Sequence, residues 1–131
     1  YTPFDASNQR LPKVLVVDDN VVNLVIMRKF LANLGIDADV AANGREAIDL
    51  VQRQDFDLVF MDVQMPEIDG LAATRLIREL SLSTQPFIIA LTANAFETDR
   101  ERCLAAGMND FLSKPFLFDD IKNKLSSFWQ A

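Results

Sequence analysis

The chain has 131 residues, half of them hydrophobic and 24% charged, with a net charge of −6, one cysteine and no histidine. This is the balance of a single domain with a real core, and the acidic surplus argues against direct nucleic-acid binding, which leaves a basic footprint. Without histidine there are no His-ligated metal sites, no Ser-His-Asp triad and no phosphohistidine of the chain's own.

Tyr1 to Leu11 (YTPFDASNQRL) has no period and is rich in polar and turn residues, so residues 1–11 read as a linker or a cloning remnant and 12–131 as the domain. Val14-Leu15-Val16-Val17 is a β-branched apolar run of the kind found in a strand covered on both faces. It ends at Asp18-Asp19-Asn20, and a helix is expected from there to Leu34, stopped by Gly35. A weak strand at about 37–42 leads to a helix at about 44–53. Phe56 to Met61 forms a third strand, and a helix over about 70–80 follows Gly70. Pro86 to Leu91 is the fourth strand, with a helix at about 96–106 closed by Gly107. Phe111-Leu112-Ser113 makes a short fifth strand before a last helix at about 118–129. Cys103 excludes an internal disulfide and reads as a packed helical thiol. No apolar run reaches the ~20 residues of a membrane helix, and no signal peptide opens the chain. A cytoplasmic domain without membrane contact is therefore expected, and a membrane-anchored parent is compatible with that.

Strands alternating with helices imply an α/β domain with a parallel sheet and right-handed crossovers. Sites in such sheets lie outside the carboxyl ends of the strands. Asp18-Asp19, Asp62, Thr92 and Lys114 fall at the ends of strands one, three, four and five. Singly each is weak, because Asp and Thr also cap helices, and for Asp19 capping and function both remain open. Together they bring three carboxylates to one rim, which would repel unless a cation sat among them. Mg²⁺ fits, as a hard cation that combines one or two carboxylates with waters and a phosphate; Ca²⁺ is not excluded, although no EF-hand loop is present. A lysine and a hydroxyl opposite suit an incoming phosphoryl group, with one Asp as nucleophile forming an acyl phosphate.

The phrases VLVVDDN at 14–20, MDVQMPEIDG at 61–70, ALTANA at 90–95 and FLSKPF at 111–116 resemble the receiver domain of two-component response regulators, from Pro12 to about Trp129. Asp19-Asn20-x-x-Asn23 and the MDVQMP and LTANA phrases are most similar to receivers of hybrid sensor histidine kinases and multistep phosphorelays. The resemblance implies a flavodoxin-like (βα)5 three-layer sandwich with strand order 2-1-3-4-5, an order taken from the family and known from a chemotaxis member. It implies that Asp62 is the phosphoacceptor, that Asp19, Asp62 and the backbone carbonyl of Gln64 bind Mg²⁺ directly, and that Asp18 assists through a water. Mn²⁺ or Ca²⁺ is expected to substitute.

The family further implies that Lys114 pairs with the phosphoryl oxygens, that the Lys114-Pro115 bond is cis, and that Thr92 and the aromatic at 111 switch together. Here that aromatic is Phe111 rather than tyrosine, and a switch and a static core residue remain open for it. Gln64 and Asn94 occupy positions that tune dephosphorylation, with ordinary loop residues as the alternative. By the same resemblance the domain's own catalysis is limited to phosphorylation and dephosphorylation of Asp62; a free-standing receiver and a piece of a longer hybrid histidine kinase both remain open, with the irregular N-terminus and the missing effector favouring the latter.

In the first helix Leu24, Met27, Phe30, Leu31 and Leu34 form the inward stripe, which leaves Val21, Val22 and Val25 outward. They make a candidate docking patch for a histidine-phosphotransfer domain, or for the dimerisation and His-phosphorylation domain of a sensor kinase; packing under a loop is the alternative. Phe96 reads as a cap or staple, and the tail Ser126-Ser127-Phe128-Trp129 as a segment that buries one aromatic or begins a linker. Two enzyme-like or cofactor-binding readings compete. A Mg²⁺-dependent phosphohydrolase would carry D-x-D after its first strand, and a flavin protein would carry a glycine- and hydroxyl-rich phosphate loop there. Asp18-Asp19-Asn20 matches neither.

Overall fold

All four residues of Val14-Leu15-Val16-Val17 are buried and form β1 (Val14–Val17), with α1 (Val21–Asn33) after it. The computed structural model describes residues 12–93 and 97–130, without the side chains of 97–99 and 127–130. The expected linker at 1–11, Asn94 and Phe96 lie outside the described residues, as do the side chains of Phe128 and Trp129.

The remaining elements are β2 (Asp39–Ala41), α2 (Gly44–Arg53), β3 (Leu58–Asp62), α3 (Gly70–Glu79), β4 (Phe87–Thr92), α4 (Glu97–Ala106), β5 (Asp110–Ser113) and α5 (Phe118–Gln130). The five strands pair in parallel in the order β2-β1-β3-β4-β5, the order the resemblance implied.

Alternation along the strands splits the interior in two, as expected when helices cover both faces of a parallel sheet. Val14, Val16, Leu58, Phe60, Ile89 and Leu91 face Leu24, Met27 and Leu31 of α1 and Ile121 and Leu125 of α5. Leu15, Val17, Val59, Met61, Ile88 and Ala90 face Ala47 and Val51 of α2, Ala73 and Ile77 of α3, and Cys103 and Ala106 of α4. Cys103 is a buried core thiol.

The main shift from sequence expectation is in β3, which runs Leu58–Asp62 rather than 56–61. Lys13 explains its start. The Lys13 carbonyl accepts from both the Asp57 and Leu58 amides, and the Lys13 amide donates to the Asp57 carboxylate at 2.7 Å. Phe56 is buried ahead of the ladder, and Asp62 becomes the last strand residue instead of the first loop residue.

Helix ends follow sequence chemistry. Asn20, Asn43 and Asp69 cap α1, α2 and α3 by accepting the amides of Val22, Glu46 and Ala72. After α1, Gly35 adopts φ 83°, its amide donates to the Ala32 carbonyl, and the Ile36 amide donates to that of Leu31. This Schellman pairing recurs after α4, where Gly107 has φ 108°. Arg78 near the end of α3 ties this region together. Its guanidinium donates to the carbonyls of Gly107 and Pro86 and to the side chains of Gln85 and Asn109.

Gly70 opens α3 against the end of β3, and its amide donates to the Val63 carbonyl at 2.9 Å. A Cβ there would lie 2.1 Å from the Asp62 carbonyl oxygen and 2.9 Å from Val63 Cα, both backbone atoms that cannot swing aside. Gly70→Ala is expected to destabilise the fold by about 2 kcal/mol or more, the range of overpacked sites. Urea denaturation checks this, and a loss below about 0.5 kcal/mol would contradict the close approach.

Candidate functional site

β1 and β3 are neighbours, with Val17 paired to Met61, so the residues that follow each pairing emerge side by side. Asp18 and Asp62 are almost completely buried, at 1% and 3% exposure, and Asp19 is exposed beside them. One carboxylate oxygen from each of the three lies within 4.8 Å of the others.

Asp18 is held from three sides. Its Oδ1 accepts the Asn20 amide at 2.9 Å, its Oδ2 accepts the Asn23 side-chain amide at 3.1 Å, and Lys114 Nζ stands 3.3 Å from Oδ2. Asp62 Oδ1 accepts from Lys114 Nζ at 3.0 Å and from the Gln64 amide at 3.3 Å. Lys114 reaches both carboxylates because β5 ends at Ser113 and its own amide donates to the Thr92 carbonyl at 2.7 Å. The Lys114-Pro115 bond is cis.

The electrostatics are unbalanced. Two buried carboxylates against one ammonium leave a net charge of −1, and Asp19 takes it to −2. Burial raises the Asp62 carboxyl to about 6; the Lys114 hydrogen bond opposes this and the nearby Asp18 charge reinforces it. Burial pulls Lys114 down, but its bond to Asp62 and the charges of Asp62 and Asp18 outweigh that, and its ammonium is held above the usual range. A buried acidic pair with oxygen donors this close and, among the described residues, one cation against it suits a hard divalent ion, which takes carboxylate and carbonyl oxygens.

Thr92, the last residue of β4, is buried and lines a cleft of about 460 Å³ with Val63, Gln64, Asp69, Arg102 and Cys103. Phe111 is half-buried on β5 against the core beneath α4. The structure therefore gathers Asp18, Asp19, Asp62 and Lys114 at one rim with Gln64 and Thr92 close by, and it sets Phe111 apart from the carboxylates on the strand that precedes Lys114.

The outward face of α1 is strongly exposed: Val21 67%, Val22 63% and Val25 47%, joined by Ile26 at 40%. Ile26 escaped the sequence reading because one inward stripe was assigned and the remaining apolar positions were not all followed round the helix. A cleft of about 440 Å³ lined by Asn23, Ile26, Ala93, Lys114, Pro115 and Phe116 continues this patch.

A doubly wound parallel sheet with clustered carboxylates and a lysine at the carboxyl rim is the framework on which a receiver domain is built. Residues 14–126 match the response regulator receiver domain family, and the chain belongs to that family. It is 42% identical over 120 residues to hybrid signal transduction histidine kinase K of Dictyostelium discoideum, covering 86% of this chain and about a tenth (10%) of that kinase.

Two solved structures are similar. The receiver domain of sensor histidine kinase PA1611 from Pseudomonas aeruginosa, with a magnesium ion coordinated in the active site cleft, has 39% identity and TM-score 0.84, covering 93% of this chain and 100% of that one. The receiver domain of the Saccharomyces cerevisiae response regulator Ssk1, in complex with the histidine phosphotransfer protein Ypd1, has 31% identity and TM-score 0.83, covering 93% and 92%. The chain is thus a receiver domain of two-component and phosphorelay systems. No helix among the described residues is long and apolar enough to cross a membrane.

The raised Asp62 pKa carries a pH signature. The unfolded carboxyl loses its proton near 3.8 while the folded one keeps it to about 6. Its contribution to stability is therefore complete below about 4 and is lost as pH rises through about 6. In metal-free buffer, Asp62→Asn is expected to be more stable than the native chain at pH 7 by on the order of 1–3 kcal/mol, with a smaller gap at pH 5. Denaturant titrations with EDTA at the two pH values measure it; an equal gap at both contradicts the buried-acid account.

Proposed function

We propose that this domain accepts a phosphoryl group on Asp62 from a phosphohistidine of a partner, in a reaction that requires Mg²⁺. The observation that carries this reading is Lys114 Nζ 3.0 Å from Asp62 Oδ1 inside a three-carboxylate cluster, an arrangement built for more negative charge than one lysine balances. The magnesium in the related receiver domain supports the ion, and the Ssk1 complex with Ypd1 supports the partner class.

Asp18, Asp19, Asp62 and the Gln64 carbonyl would hold the ion, and Asp18 contributes through a water. Bound there, Mg²⁺ neutralises charge on the transferring group; Mn²⁺ and Ca²⁺, which share its preference for oxygen, substitute. Asp62 attacks phosphorus through a carboxylate oxygen, an O–P bond forms as the N–P bond to the partner imidazole breaks, and the imidazole leaves. Lys114 pairs with the phosphoryl oxygens. Thr92 donates its hydroxyl to them, and Phe111 follows inward, a population shift driven by local charge. Gln64 and Asn94 orient the water that later hydrolyses the acyl phosphate.

The partner is a histidine-phosphotransfer domain, or the dimerisation and His-phosphorylation domain of a sensor kinase. Val21, Val22 and Val25, extended by Ile26, form its docking face. The domain works as residues 12–131 of a longer hybrid histidine kinase, in keeping with the tenth of such a kinase that it matches. It acts in the cytoplasm, without contact to membrane or nucleic acid.

Incubation with acetyl phosphate and Mg²⁺ is expected to add the mass of one phosphoryl group, labile to hydroxylamine and absent from Asp62→Asn and from EDTA-treated protein. An adduct that persists in Asp62→Asn would overturn the assignment. For docking, Val22→Glu is expected to slow transfer from a phosphorylated histidine-phosphotransfer protein by tenfold or more, on the order of 1.4 kcal/mol, with the acetyl phosphate rate unchanged. Equal losses from both donors would remove the patch from consideration.

A further inference from the structure

Phe111 has no hydroxyl with which to anchor itself at the surface, and its surroundings hold it by other means. The Arg100 guanidinium, from α4, lies 4.4 Å from the ring centroid, and the Lys124 ammonium, from α5, lies 5.4 Å from it. Lys124 Nζ also donates to both carboxylate oxygens of Asp110 at 3.1 Å. Asp110 Oδ1 in turn accepts the Phe111 amide at 2.8 Å. The π face of one aromatic ring therefore meets cations from two helices, while the backbone of the same residue is tied to the carboxylate that fixes one of those cations.

We infer that Arg100 and Lys124 are positioning residues that hold Phe111 in its outer, half-buried place and so oppose formation of the phosphorylated arrangement. This rests on the reading of Asp62 as acceptor with Thr92 and Phe111 coupled to it. An aromatic face attracts a cation through its quadrupole, and the attraction is lost once the ring withdraws. Any inward movement of Phe111 leaves both cations behind, so they favour the outer arrangement by the free energy of those contacts. Linkage then requires that a ligand selecting the inner arrangement binds less tightly while the cations are present. Arg100 carries the larger share, because it is closer and because Lys124 is already engaged by Asp110.

The test uses the whole 131-residue chain with Arg100→Met, which keeps length and apolar packing without charge, and Arg100→Lys, which keeps the charge. Arg100 is exposed, so neither change disturbs the core. Two quantities are read: the Phe111 ring resonances by NMR in metal-free protein, and the affinity for beryllofluoride with Mg²⁺ as a phosphoryl mimic. Arg100→Met is expected to shift the ring resonances and to tighten beryllofluoride binding about two- to fivefold, the range of an exposed cation–π contact. Arg100→Lys is expected to stay near the native chain in both. Unchanged resonances and affinity in Arg100→Met would overturn the proposal, as would Arg100→Lys behaving like Arg100→Met, since packing would then be the cause. If the native chain fails to bind beryllofluoride, the acceptor reading falls instead, and the metal-free resonances still decide whether the cations hold the ring.

Discussion

Two carboxylates buried within reach of a single ammonium set the terms for this domain. Asp18 and Asp62 are almost completely buried, and Lys114 offsets one charge between them. Burying like charges together is costly in a low-dielectric interior, and a fold tolerates it when the hydrogen bonds are complete and further positive charge arrives. The hydrogen bonds are in place at Asp18, which accepts the Asn20 amide and the Asn23 side chain. The residual negative charge is what a divalent ion would neutralise, and a neutralised rim could then accept the oxygens of a phosphoryl group.

The sheet order turns that local problem into a site. In the order β2-β1-β3-β4-β5 the chain leaves β1 in one direction to reach β2 and returns on its other side to form β3. The loops after β1 and β3 therefore diverge from the strand ends that carry Asp18 and Asp62. β4 and β5 then extend the rim, carrying Thr92 and Lys114 to the same edge. Gly70 completes the geometry by letting α3 begin in contact with the Asp62 carbonyl, where any side chain would push the strand end away.

Much of this was legible in the chain because parallel strands covered on both faces read as unbroken apolar runs, and each run ends on a polar residue. Val14 to Val17 followed by Asp18-Asp19, and Phe87 to Leu91 followed by Thr92, gave strand and site in one pattern. The start of β3 was less legible. Phe56 has strand-like chemistry and Asp57 lies inside the apolar run, but the Lys13 carbonyl and amide take up the hydrogen bonds there, a contact 44 residues away in sequence. Arg78 was missed for the same reason: its partners lie seven to 31 residues further on, and nothing local marks it. Arg100 and Lys124 carry no local signal in the sequence, because only the fold brings them onto one ring.

The apolar face of α1 is tied to the acidic site by covalent and hydrogen-bonded proximity. Asn20 donates its amide to Asp18 and accepts the Val22 amide as the helix cap, and Asn23, one residue on from Val22, donates to the other Asp18 oxygen. The first turn of the helix, which presents Val21 and Val22, is therefore referenced to Asp18 within one or two hydrogen bonds. On the proposed docking, a partner seated on those valines would meet the carboxylates at an offset fixed by the helix. Rigid placement of this kind recovers entropy that a bimolecular transfer would otherwise lose. Val21, Val22, Val25 and Ile26 remain exposed on the same helix, and a contiguous apolar patch of this kind is a candidate interaction surface.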